Sequence, residues 1–167
     1  MNGQVHPGCS HDCKVEISIL KKRHICTTPA LLPGNFEYSG KVGLAGADLY
    51  CTTKCGPTYK AMVAAEGRVA SMAPYAGKEA SWVVEPYTAY YRWMGGPLVF
   101  MTGEEGLLGV VKGADAPLIN PIGNESAWTG LKTDWTNAGE NCMGWMKADA
   151  NNKGMVGKGG AQVGGEY

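Results

Sequence analysis

The chain has 167 residues, 18% of them charged, with fifteen basic residues balanced by fifteen acidic ones. That neutrality gives no electrostatic footprint for nucleic acid or an anionic membrane surface. No apolar run approaches the roughly 20 residues that span a bilayer, so no membrane-spanning helix is expected.

Hydrophobic residues make up 44%, enough for one core in a chain of this length. The 25 glycines and nine prolines predict many turns and few long helices. Five Trp and eight Tyr against two Phe favour aromatics that carry a polar handle.

Residues 1–13 read as an irregular N-terminal arm, followed by a single domain over 14–167. Met1 to Asp12 has no apolar h-region, so an exported protein would carry this chain as its processed form. Val15, Ile17 and Ile19 alternate with polar residues, which predicts a strand. Lys21-Lys22-Arg23-His24 is a short basic run, read as a solvated strand end or turn. Ile25 to Thr28 is expected to form another short strand, and Asn35 to Gly43 a loop.

Leu44 to Cys55 is the best helix, because Leu44, Ala47, Cys51 and Cys55 share one face and Gly56-Pro57 stops it. Strands are then predicted over Tyr59–Ala64, Trp82–Val84, Tyr90–Trp93 and Pro97–Met101, with a turn at Gly95-Gly96. A glycine-rich stretch runs from Gly103 to Glu125. Trp128 opens a segment rich in Trp, Asn and Gly, and the tail from Asn151 to Gly165 has little apolar content beyond Met155 and Val156.

The six cysteines are Cys9, Cys13, Cys26, Cys51, Cys55 and Cys142. An even count in a loop-rich chain points to disulfides and an oxidising compartment, though sequence alone leaves their pairing open. Buried reduced thiols are the alternative.

Several segments resemble a known family. Gly43-Leu44-Ala45-Gly46-Ala47-Asp48 with Cys51 resembles the opening helix of endostatin-like domains, and Tyr59-Lys60-Ala61 resembles the strand after that helix. Trp82-Val83-Val84 with Pro86, and Tyr90-Tyr91-Arg92, are similar to the next block. Trp128-Thr129-Gly130-Leu131, Asp134-Trp135-Thr136, Asn141-Cys142 and Gly144-Trp145 are similar to the segment before the end of such domains. The resemblance covers roughly residues 35–160. It is to a bacterial group of secreted endostatin-like, C-type-lectin-like domains that includes leptospiral endostatin-like surface proteins.

The resemblance implies an α+β, C-type-lectin-like fold: a twisted, mostly antiparallel sheet, one or two helices and long irregular loops. It also implies adhesin-like binding of matrix or plasma proteins. In such domains the cysteine on the first helix and the one equivalent to Cys142 pair with two later cysteines. No cysteine follows Cys142 here. The domain is then expected to lack its last strand, to use rewired disulfides through Cys55 or Cys26, or to receive a strand from another chain. Within this frame Gly46 and Ala47 allow close helix packing. Asp48 is expected in the first helical turn. Leu44, Ala47, Cys51, Trp82, Trp128, Trp135 and Trp145 are the expected core.

Candidate chemistry is sparse. His6, Cys9, His11 and Cys13 lie close enough in sequence to hold zinc, but their spacing matches no standard site, and a loose arm or small Cys9–Cys13 loop is preferred. Cys51 and Cys55 are not spaced as a redox pair and read as a structural disulfide or core thiols. Glu85-Pro86-Tyr87 lacks the Asn of a calcium-dependent sugar site, and Asp134 to Asn137 has its oxygens in the wrong order. Glu104-Glu105 reads as a solvated loop, and Asn124-Glu125-Ser126 as a turn rather than a used glycosylation site.

The expectation is therefore a non-enzymatic, extracellular or cell-surface binding module without cofactor. Its partner would be a protein or glycan, met by Trp and Asn side chains on the loops between Gly103 and Asn141. The alternative is a structural or assembly module, such as a fibre tip or homo-oligomeric surface protein.

Overall fold

A computed structural model describes residues 21–28, 32–66, 68, 82–103, 119–123, 125–132 and 137–159. The predicted strand Val15–Ile19, the candidates His6, Cys9, His11 and Cys13, the core candidate Trp135 and the Glu104-Glu105 loop lie outside these residues.

Small residues decide where the long helix among the described residues sits. This helix, α1 (Gly43–Cys55), begins one residue before the predicted start and ends at Gly56. A Cβ on Gly46 would lie 2.0 Å from the Phe36 carbonyl oxygen and 2.6 Å from that of Lys41. Only glycine lets the preceding loop cross the helix so closely. Ala47 and Cys55 are buried on the expected face, while Leu44 and Cys51 are half-buried against the same cluster.

Asp48 corrects one expectation. The helix starts at Gly43 and has no acidic residue in its first turn, so Asp48 makes no favourable contact with the helix dipole there. Its carboxylate is used against Arg68 instead, 2.6 Å from Nη2.

The described strands form two small sheets. In the first, β1 (Lys21–Ile25) pairs in parallel with β2 (Thr88–Arg92), and β2 pairs antiparallel with β3 (Leu98–Met101). The turn between β2 and β3 is the predicted one, with Met94 and Gly95 at positive φ. In the second sheet β4 (Ser126–Trp128) pairs antiparallel with β5 (Val156–Lys158). The architecture is α+β with few helices and small mixed sheets. The strand β5 lies in a tail with almost no strand signal. It forms because glycines allow tight approach: a Cβ on Gly154 would lie 2.9 Å from both the Trp128 and Trp145 rings.

The basic run is the strand β1 itself, not its end, and the predicted strand at Ile25–Thr28 is not formed. Neither Tyr59–Ala64 nor Trp82–Val84 joins a sheet. The first of these still obeys a period of two. Ala61, Val63 and Ala65 enter one hydrophobic cluster with Phe36 and Trp145, while Ala64 enters the other with Val99 and Phe100. The segment is the shared wall of two cores. Within it Ala64 N–H donates to Thr129 O at 2.7 Å, but no continuous ladder forms.

Trp145 anchors the second core with no exposed surface. It stands 4.6 Å from the Phe36 ring centroid and 5.8 Å from that of Trp128. Its indole N–H donates to Ala64 O at 2.8 Å. The tight turn α2 (Cys142–Trp145) that carries it has positive φ at all four residues, and Asn141 Oδ1 accepts from Gly144 N–H at 2.9 Å. Left-handed backbone at non-glycine residues costs about 1 kcal/mol each, which burial of the indole offsets.

Candidate functional site

Between the two sheets and α1 lies a cleft of about 1440 Å³. Its walls are apolar and aromatic, including Tyr50, Tyr59, Trp82, Tyr90 and Trp128. Residues 22–28 and 58–63 run along it, and β4 borders it. Cleft-lining basic residues are Lys22, Arg23, Lys60 and Lys132, with His24 beside them; the acids are Glu85 and Glu125.

Glu85 is held in place before its charge is used. Its backbone N–H donates to Tyr90 Oη at 2.7 Å, and its carbonyl accepts from Thr102 Oγ1 at 2.6 Å. Thr102 Oγ1 in turn accepts from Thr88 N–H at 2.9 Å, a buried bond that fixes β2 to this loop. The Glu85 carboxylate then receives Arg23 Nε at 3.0 Å and Lys21 Nζ at 3.3 Å. Partial burial pushes its pKa up, but hydrogen bonds from Arg23 and Lys21 and their charges outweigh that and hold it below the usual value. Side chains alternate across a strand, so Lys21 and Arg23 share one face and Lys22 and His24 the other. The second pair has no acidic partner among the described residues.

The sulfur chemistry is partly as expected. Cys26 and Cys55 form a disulfide, with Cα atoms 6.0 Å apart. It ties the residue after β1 to the last residue of α1. Cys55 is thus used, but Cys51 and Cys142 are free thiols and the rewiring does not reach them. Burial, then the Asp48 carboxylate, pushes the Cys51 thiol up to about 11, with Arg68 opposing. Burial and then Asp149 raise Cys142 as well. Neither is a ready nucleophile at neutral pH.

Other candidates fall where structure needs them. Trp82 and Trp145 are core. Trp128 is half-buried at the cleft wall and donates its indole N–H to Leu32 O at 3.1 Å. Among the described residues the exposed large aromatics are Tyr87 and Trp93, at the two ends of β2. Among the described residues, no group of three or more His, Cys, Asp and Glu could hold a metal ion, and no helix is long and apolar enough to cross a membrane.

Two functional features carry no signal of their role in the sequence. Arg68 stands alone after a glycine. Glu85 beside Pro86 resembles half of a calcium-site motif, whereas its carboxylate clamps β1.

The family model described as protein of unknown function (DUF1554) matches residues 34–162, more than half of the chain. The chain belongs to the DUF1554 family. The DUF1554 span opens at the turn before α1 and closes beyond β5, so β1 and Cys26 precede it. The Cys26–Cys55 bond therefore fastens a strand outside the DUF1554 span to the helix that opens it. No curated protein matches the chain, and no solved structure does.

Proposed function

We propose that this protein is a non-catalytic, extracellular or cell-surface binding module of the C-type-lectin-like, endostatin-like kind, recognising a macromolecular partner. The observation that carries the reading is the cleft. At about 1440 Å³ it exceeds the roughly 300–1,000 Å³ of most small-molecule sites. Its aromatic walls and cationic rim are suited to adhesion, since such side chains dominate binding hot spots. The cross-linked strand and helix beside it supply rigidity, which lowers the entropy cost of binding. A disulfide also fits an oxidising compartment.

The test is a binding survey of the oxidised protein against arrayed extracellular proteins and glycans, combined with alkylation of Cys51, which lines the cleft. A true partner is expected to bind saturably and to slow Cys51 alkylation at least threefold. A partner that leaves the alkylation rate unchanged refutes the cleft as the site. Absence of any saturable partner refutes the binding-module reading.

A second reading, a homo-oligomeric assembly module, is favoured by exposed Met143 and Met146 beside exposed Val42. These side chains surround the start of α1, where a Cβ on Gly43 would lie 2.8 Å from Met146 Sδ. Sedimentation decides it: a monomer at 100 µM excludes assembly, whereas a stable oligomer disrupted by Met146→Asp supports it.

A further inference from the structure

We infer that the outer face of the β1-β2-β3 sheet, on the side away from the cleft, is a second binding site and takes a linear glycan that carries uronate carboxylates. The inference goes beyond the cleft and does not depend on what fills it.

Strand alternation sorts the sheet into two faces. Arg23, Tyr90 and Phe100 lie on the cleft side, where the Tyr90 and Phe100 rings stack with centroids 4.8 Å apart. Their neighbours in sequence lie on the other side. The register sets Lys22 against Ala89, Ala89 against Met101, and His24 against Tyr91. The His24 and Tyr91 rings stand 6.5 Å apart, as partners on one face do. Trp93 extends the row. Its N–H donates to Ile25 O at 2.8 Å, so the ladder continues past Arg92 and Trp93 falls two positions after Tyr91. Alternate residues on a strand are about 7 Å apart. Lys22, His24, Trp93 and Met101 are exposed, and Tyr91 is half-buried. Lys22 and His24 border the cleft from the edge strand, whereas Tyr91, Trp93 and Met101 take no part in its wall.

This face offers rings set apart on a rigid platform. The C–H face of a pyranose packs against an aromatic ring, and a linear glycan repeats that face at every sugar. Hot spots between proteins are instead packed, desolvated pockets, whereas these rings lie open on a sheet. Charge then selects among glycans. Lys21 and Arg23 are tied to Glu85, but Lys22 has no acidic partner among the described residues. The face positions themselves, Lys22, His24, Ala89, Tyr91, Trp93 and Met101, carry no carboxylate. Lys22 therefore complements an anion held over the rings. A uronate carries its carboxylate at the rim of the sugar, within reach of an ammonium beside the stacking face. A phosphate backbone needs a track of several cations, which one unpaired lysine on a neutral chain does not supply.

The test uses the full, oxidised chain at pH 7.5 with octasaccharides of hyaluronan and of galacturonan, each also as its carboxyl methyl ester. Affinity is read by calorimetry. At least one uronate octasaccharide is expected to bind saturably and at least tenfold more tightly than its ester. Trp93→Ala and Lys22→Gln, both at exposed positions, are expected to weaken that binding at least tenfold and about fivefold. Lys22→Gln is also expected to flatten its salt dependence. Circular dichroism checks that both variants keep the fold. The rate of Cys51 alkylation is expected to stay the same with the octasaccharide bound, because the site lies off the cleft. Binding of neither octasaccharide, equal affinity for acid and ester, or unchanged affinity in either folded variant overturns the inference. So does slowed Cys51 alkylation, which places the glycan in the cleft. An acidic octapeptide or a single-stranded octanucleotide that binds as tightly as the glycan overturns it as well.

Discussion

The Arg68 guanidinium grips the Asp48 carboxylate with both prongs: Nη2 lies 2.6 Å from Oδ2 and Nη1 lies 2.9 Å from Oδ1. Oδ1 also accepts Ala61 N–H at 2.9 Å, and Nη1 also donates to Ala61 O at 3.1 Å. One partly buried ion pair thus joins the middle of α1 to both backbone groups of a residue in the shared core wall. Removing Arg68 leaves the Asp48 carboxylate uncompensated and orphans the Ala61 carbonyl. Arg68→Ala is expected to lower unfolding free energy by about 2–4 kcal/mol in urea titration. Arg68→Lys is expected to recover less than half, because an ammonium does not reproduce the two-pronged geometry.

Gly46 sets the approach of the loop 36–41 to α1. A methyl group there would overlap the Phe36 and Lys41 carbonyl oxygens, and both are backbone atoms with no rotamer to yield. Gly46→Ala is expected to destabilise by about 3 kcal/mol or more, against the usual gain from replacing glycine in a helix. Ala45→Gly, one residue away on an exposed position, is the comparison, with an expected cost of about 1 kcal/mol. Thermal melts of both variants decide it; near-equal losses would remove the steric argument.

The Cys26–Cys55 bond closes a loop with a sequence separation of 29. On a chain-entropy account, a loop of that size stabilises by about 3–4 kcal/mol. Cys26→Ser is expected to lose most of this in chemical denaturation. It is also expected to raise hydrogen exchange in β1 more than in β3, since the bond is anchored at Cys26, the residue after β1, and β3 carries no cross-link. A uniform increase across both strands would show that the bond acts on the unfolded chain alone.

The helix and hairpin are legible in the sequence because their signals are local. Gly56-Pro57 stops α1, and Gly95 turns the chain between β2 and β3. Tyr59–Ala64 shows the limit of that reading. Its alternation is real, but two cores flank it and its peptide groups turn to Asp48, Arg68 and Thr129. A period of two reports which side chains are buried, not whether a neighbouring strand exists. The cleft is not legible at all. It depends on β1 lying beside β2, some 60 residues later, and on Glu85 choosing Lys21 and Arg23. Nothing local in the sequence encodes either pairing. Cys55 is recognisable as a bonding candidate, but its choice of Cys26 over Cys51 is a tertiary fact.

Acid should loosen the clamp on β1. The Glu85 carboxylate has a folded pKa below its ordinary value of 4.5, because Arg23 and Lys21 outweigh partial burial. A depressed carboxylate stabilises the fold above its unfolded pKa. That contribution fades as pH falls from about 4.5 through the folded value. The pair is more than a third exposed, so the expected size is small, about 0.2–1 kcal/mol. Glu85→Gln is expected to remove that slice of pH dependence and to leave the stability above pH 6 lower by a similar amount. Matching acid profiles for the two proteins would assign no role to the clamp.

Cys51 offers a direct reading of the environment at the cleft wall. Its thiol is pushed from 9.0 to about 11 by burial first and by the Asp48 carboxylate second, while Arg68 pulls it down. Alkylation proceeds through the thiolate, so at pH 8 the reactive fraction is about a hundredfold below that of an ordinary thiol. Iodoacetamide labelling, resolved by peptide mass, is expected to be slow at pH 8 and to accelerate steadily through pH 10. Asp48→Asn removes the second cause and leaves burial, so its labelling at pH 8 is expected to rise severalfold while that of Cys142 does not change. An unchanged rate at Cys51 would mean that burial alone holds the thiol protonated, and that the carboxylate is neutralised by Arg68.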